Sequence, residues 1–124
     1  MAVTHPAAVR TVLADACVDT IDDGAGAGTL EFQTSGDVEV ATLTFSDPAF
    51  GAASGPTATA SAITSDTSAT GGVVAKFVCK DSDAAAKGFA GNVLTSGGDI
   101  NLSSLTVGAT DTVSISSLTY TAPA

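Results

Sequence analysis

Tryptophan is absent from the 124-residue chain, tyrosine and histidine occur once each, and only four residues carry a basic side chain. Each shortage excludes a class of function. With no tryptophan and only Tyr120, the aromatic platforms that line sugar-binding clefts are nearly missing, which argues against a glycosidase. The lone histidine, His5, lies beside the N-terminus, so a Ser-His-Asp or Cys-His arrangement would depend on a poorly anchored base. Thirteen acidic residues against four Lys and Arg give a formal charge of −9, which repels nucleic-acid phosphates and anionic lipid. Neither nucleic acid nor membrane is an expected partner. The two cysteines, Cys17 and Cys79, have no CxxC or Cys/His spacing, so zinc and thioredoxin-like chemistry are not indicated. No charged start leads into an apolar run, and no apolar stretch approaches the roughly 18 residues needed to cross a bilayer. A chain made in a reducing cytoplasm is expected, with both cysteines serving as small hydrophobes and one disulfide left open.

What the sequence does hold is small and weakly charged. Alanine accounts for 23 residues, serine and threonine for 31, and Val, Ile, Leu and Phe together for only 28. That supports a thin two-layer core in one domain spanning residues 1–124, without room for a large buried cofactor. No cofactor is expected.

The hydropathy pattern divides the domain into four parts. Residues 1–5 read as a flexible arm. Residues 6–23 read as an amphipathic helix whose apolar face is Val9, Val12, Leu13, Ala16, Thr20 and Ile21, with Arg10, Asp15, Asp19 and Asp22 opposite. Thr4 or His5 is placed to cap it, Pro6 suits its first turn, and Gly24 suits its end. Asp19, Asp22 and Asp23 crowd its C-terminal turns, where the helix dipole disfavours anions, so they serve something other than helix stability. Residues 24–28, all Gly and Ala, form a connector. It is no phosphate loop, because such glycines follow a strand and precede a helix, and here the order is reversed.

Residues 29–121 read as a β-domain. Leu30 and Phe32 alternate, Leu43 and Phe45 follow Val38 and Val40 with shifted parity, and a bulge is expected at Ala41 and Thr42. Ser46-Asp47-Pro48 is a turn, Gly55-Pro56 opens an alanine-rich strand, and residues 64–72 read as an exposed loop. Residues 73–80 are the clearest strand and belong near the sheet centre. Phe89 and Val93 mark a strand broken by Gly91, and Ile100 to Leu102, Leu105 to Val107 and Val113 to Tyr120 complete the set. The expected fold is mainly β: an antiparallel β-sandwich or small barrel of seven to eight short strands, preceded by one N-terminal amphipathic helix. Phe32, Phe45 and Phe77 are expected in its core.

Searching these elements for chemistry yields no catalytic residue and no metal site. Asp22 with Asp23 and Asp81 with Asp83 fall short of a calcium loop, and turn aspartates bonding their own backbone explain the second pair. Lys76 and Lys80 share one strand face, where they either guard a sheet edge or meet an anionic group on a partner.

The segments LADACVDTIDDGAGAGTLEFQTSG, ATLTFSDPAFGAA, ITSDTSATGG, KDSD, TSGGDINLSSLTV and DTVSISSLTYTAPA cover most of the chain and resemble a family of small virion structural proteins of tailed bacteriophages. Residues Ala41 to Gly51 and Ser96 to Leu102 are the most distinctive pieces. The resemblance implies a capsid decoration, or cement, protein on the exterior of the virion. It would bind the outer face of the major capsid protein shell, lock it against internal DNA pressure, and act as a homo-oligomer with a trimer favoured. A tail or neck protein forming rings through its β-edges is the alternative, and a host-surface or glycan-binding module using Phe50, Phe89 and Tyr120 comes third. Candidate capsid or subunit contacts are Ala2, Val3, Thr4 and His5 of the arm, which either orders on a neighbour or is simply disordered, together with Lys76 and Lys80.

Overall fold

The computed structural model describes residues 3–123. Helix α1 spans Ala7–Asp19 and tightens into a single 3-10 turn at Thr20–Asp22. Nine short strands follow: β1 (Thr29–Gln33), β2 (Glu39–Thr44), β3 (Thr57–Thr59), β4 (Gly72–Val73), β5 (Lys76–Lys80), β6 (Ala86–Leu94), β7 (Ile100–Asn101), β8 (Thr106–Val107) and β9 (Thr119–Thr121). Five of them form one sheet in the order β2-β1-β5-β6-β7, while β3 pairs with β9 and β4 with β8. The large sheet curls into a half-barrel and the small sheets accompany it, which makes the fold a small β-barrel or sandwich with one N-terminal helix.

Alternation along β1 and β5 builds the centre of the core. Leu30 and Phe32 point inward from β1, Phe77 and Cys79 from β5, and all four are buried. The register sets Phe32 opposite Ala41 on one side and Phe77 on the other, and Leu30 opposite Leu43 and Cys79. The expected bulge is present one residue early: Phe32 faces Ala41 but Gln33 faces Glu39, so Val40 is the extra residue and both it and Ala41 are buried. A chain of rings extends this core, from Phe45 through Phe50 and Phe89 to Phe77, with Tyr120 stacked on Phe89 at 4.9 Å. Phe32, Phe45 and Phe77 are therefore core residues, and Phe50 sits among them. Both cysteines are free; Cys79 is fully buried, and its burial pushes its thiol up to about 12.

Several expectations are redrawn. The segment 73–80 is two strands, because Gly72–Val73 turns away to pair with β8 while Lys76–Lys80 takes the middle of the large sheet. Gly91 does not break β6. The Asp99 carboxylate fills the space beside it, within 2.4 Å of where a Cβ would stand, and also accepts the Asn92 N–H. The irregularity lies instead at Gly88, where the register against β5 jumps and φ is +64°. Pairing is antiparallel throughout the named strands except between β6 and β7, which run parallel. The loop 64–71 is more than an exposed connection. It lines the outer edge of β2 through Thr44–Thr64 backbone bonds, the Asp66 carboxylate on the Thr42 N–H, and the Gly71 N–H on Val40 O. An edge strand so covered is not free to pair with another chain.

Candidate functional site

The residues singled out from sequence separate in the structure. Val3, Thr4 and His5 are exposed ahead of α1 and belong to no helix or strand, and Ala2 lies outside the described residues. Neither Thr4 nor His5 caps the helix; Pro6 takes the N-cap position, and no side-chain cap bond is made. Lys76 pairs with Asp37, and Lys80 with Glu31 at 3.0 Å on the outer face of the half-barrel. Lys87 bonds Asp23 at 3.2 Å. Arg10 sends its guanidinium to the chain's C-terminal carbonyls, with Nη2 donating to Ala122 O at 2.7 Å and Nε reaching Pro123 O. Each Lys and Arg thus has a partner within the chain, and Lys76 and Lys80 stand on the outward face of β5 with Phe77 and Cys79 inward. Asp81, buried, accepts the N–H groups of Asp83 and Ala85, which is the turn role expected of it.

Helix α1 is rotated from its sequence pattern: of the expected apolar face only Ile21 is buried, and Thr20 is half-buried. Its inward face is Ala14, Val18 and Ile21, while Val9, Val12, Leu13 and Ala16 are exposed, Val12 by 66%. Of the polar residues placed on the solvent side, Asp19 is exposed, while Arg10, Asp15 and Asp22 turn toward the β-domain and hold it. The Asp15 carboxylate accepts the Ala53 N–H at 2.7 Å, and Asp22 accepts that of Ala49 at 2.8 Å. Thr20 Oγ1 accepts the Gly88 N–H at 2.8 Å, and the Cys17 thiol donates to Gly88 O.

The physical reason is that the loops before β3 and the bulge in β6 leave backbone groups without ladder partners. An unsatisfied buried N–H or C=O costs about 1 to 3 kcal/mol, comparable with the gain from burying one aliphatic side chain. Four such bonds, with Val18 and Ile21 inward as well, outweigh the burial of Val9, Val12, Leu13 and Ala16. Replacing Asp15 with alanine is expected to cost about 1 to 3 kcal/mol by stranding the Ala53 N–H. Asp15→Asn, which keeps an acceptor, should recover most of that loss in thermal melts.

Four carboxylates gather where α1 ends. Burial first, and then the charges of Asp47, Asp19 and Asp23, push the Asp22 carboxyl above its usual range against the pull of the Ala49 N–H. A carboxyl whose folded value is raised binds its proton more tightly in the folded state, so it weakens the fold once pH exceeds the unfolded value near 3.8. Asp22→Asn should therefore melt at a higher temperature than the native chain at neutral pH. That advantage should vanish below pH 3.8, where Asp22 is protonated in both states.

Beside the helix, Cys17 and Thr20 form one wall of a shallow cleft of about 430 Å³ whose other lining residues are Val78 of β5 and Ala86, Lys87, Gly88, Phe89 and Ala90 of β6. Ala86 and Ala90 of β6 are small and exposed there, Lys87 between them is paired with Asp23, and Leu13 stands one helical turn before Cys17 on the same side. The apolar stripe of α1 thus continues toward this cleft. Sequence reasoning found the stripe's residues by their spacing but assigned them to the core. The carboxylates that rotate the helix were legible only as charges. Among the described residues no cluster of three or more His, Cys, Asp or Glu side chains is arranged to hold a metal ion, and no helix is long and apolar enough to cross a membrane. No protein-family model, curated protein or solved structure matches this chain.

Proposed function

We propose that this chain is a structural protein of a tailed-bacteriophage virion, a decoration or cement protein that covers the outer surface of the major capsid protein shell and stabilises it against the pressure of packaged DNA. The observation that carries this reading is the outward apolar face of α1 on a domain whose cations and most of whose carboxylates are satisfied internally. Such a surface gains by being covered with protein, and it offers little to a small substrate. The sequence resemblance points the same way, and a charge of −9 favours the exterior over a face that meets DNA. Trimers at local three-fold positions fit the role, since many modest contacts on several neighbours add through multivalency. A ring-forming tail or neck protein has less support at the β2 end of the large sheet, because the loop 64–71 already occupies that edge; the β7 end is the edge it would use.

The experiment is heat challenge of DNA-filled heads stripped of this protein, with and without its re-addition. Re-addition should raise the temperature at which DNA is released. Identical release curves would remove the cement role.

A further inference from the structure

We infer that the outward face of α1, together with the cleft beside it, docks into an apolar groove on a partner protein that carries lysine or arginine at one end. The inference rests on the reading of the chain as a capsid-binding protein and narrows that reading to one face and one chemistry. The stripe of Val9, Val12, Leu13 and Ala16 lies on the side of the helix opposite Ala14, Val18 and Ile21. The 13-residue helix is about 20 Å long, enough for a helix-in-groove contact read at spacings of three and four. The cleft bounded by Cys17, Thr20 and Phe89 gives a projecting side chain of the partner a place to enter.

Charge selects the partner. The stripe runs into Asp19, Asp22, Asp23 and Asp47 at the helix C-terminus, where the helix dipole is itself negative. Of these only Asp23 has a cation beside it, Lys87. Asp19 and Asp47 are exposed and make no ion pair among the described residues. A basic group on the partner would offset this excess. A second copy of the chain is poorly suited, because Arg10, Lys76, Lys80 and Lys87 are all engaged at home and each copy brings the same acids. An anionic lipid surface is repelled by the same charge.

The test uses the full chain and expanded capsids lacking it, with binding measured by co-sedimentation over a concentration series and self-association by sedimentation velocity. Two variants carry it: the double change Val12→Ser with Leu13→Ser, and Asp19→Lys. All three side chains are exposed, and thermal melts check that the fold is kept. The double variant should bind about tenfold more weakly or worse, as expected for apolar side chains withdrawn from a contact. Asp19→Lys should bind several-fold more weakly at low salt, with the difference shrinking as ionic strength rises toward about 0.5 M. If the native chain binds and both variants bind equally well, the docking face is wrong and the capsid reading stands. If the native chain does not bind, both fall. Tighter binding by Asp19→Lys would mean an acidic partner and overturn the inference. So would a double variant that still binds capsids but loses self-association, because the stripe would then be a contact between copies.

Discussion

Phe32→Ala is expected to remove about 3 to 5 kcal/mol of stability, the range for emptying a fully buried phenylalanine site. The ring is entirely shielded, at the point where β1 is paired on both sides, opposite Ala41 in β2 and Phe77 in β5. Neither neighbour can collapse into the gap without disturbing a ladder. Domains of this size have only about 5 to 15 kcal/mol in total, so the melting temperature should fall by roughly 10 to 25 °C. Val38→Ala, on the exposed approach to β2, should move the melt very little. A small shift for Phe32→Ala would mean that the half-barrel is not the stabilising core.

Gly28→Ala should destabilise through a different mechanism. A Cβ at this position would stand 2.5 Å from Lys80 O, and 2.6 Å from both Ile21 O and Ile21 Cγ2. Two of those three atoms are backbone, fixed by the helix end on one side and by β5 on the other, so the methyl group cannot be accommodated by a rotamer change. Overpacking of this kind costs about 1 to 3 kcal/mol, and the rigid neighbours put Gly28 at the upper end. Gly36→Ala is the control: the nearest atom to its Cβ would be Thr34 Oγ1 at 3.8 Å, and the chain there should be unaffected or slightly stabilised through its unfolded state. Equal melts for the two variants would show that the connector does not bind the helix end to the sheet.

Gly28 also shows what a sequence conveys and what it withholds. Its place in a Gly/Ala run marks a connector, and the reason for glycine there emerges only when Ile21 and Lys80 converge on it. The period-two alternation of Leu30 with Phe32 and of Phe77 with Cys79 was legible, because a strand buried on one face writes its burial into every second residue. The bulge near Ala41 was legible from the parity shift and missed by one position. The parallel pairing of β7 with β6 was not, since two residues of strand carry no period at all. The helix face was misread for a more instructive reason. Spacing alone ranks Val9, Val12, Leu13 and Ala16 as the buried side, but which side is buried depends on what the β-domain presents. Here it presents unpaired N–H groups at Ala49, Ala53 and Gly88, and carbonyls at Gly88, Ala122 and Pro123, that Asp22, Asp15, Thr20, Cys17 and Arg10 satisfy. Those acceptors and donors are backbone groups of distant segments, invisible to any local pattern.

The measurement that bears most directly on the proposed function is a count of copies: expanded capsids lacking this protein are saturated with it, sedimented, and analysed for bound chains per major capsid subunit. The account predicts saturable binding at a fixed ratio near one, as expected for a protein occupying every equivalent position of a lattice through the same face. Binding that never saturates, or protein left in the supernatant as rings or tubes of its own, would contradict it.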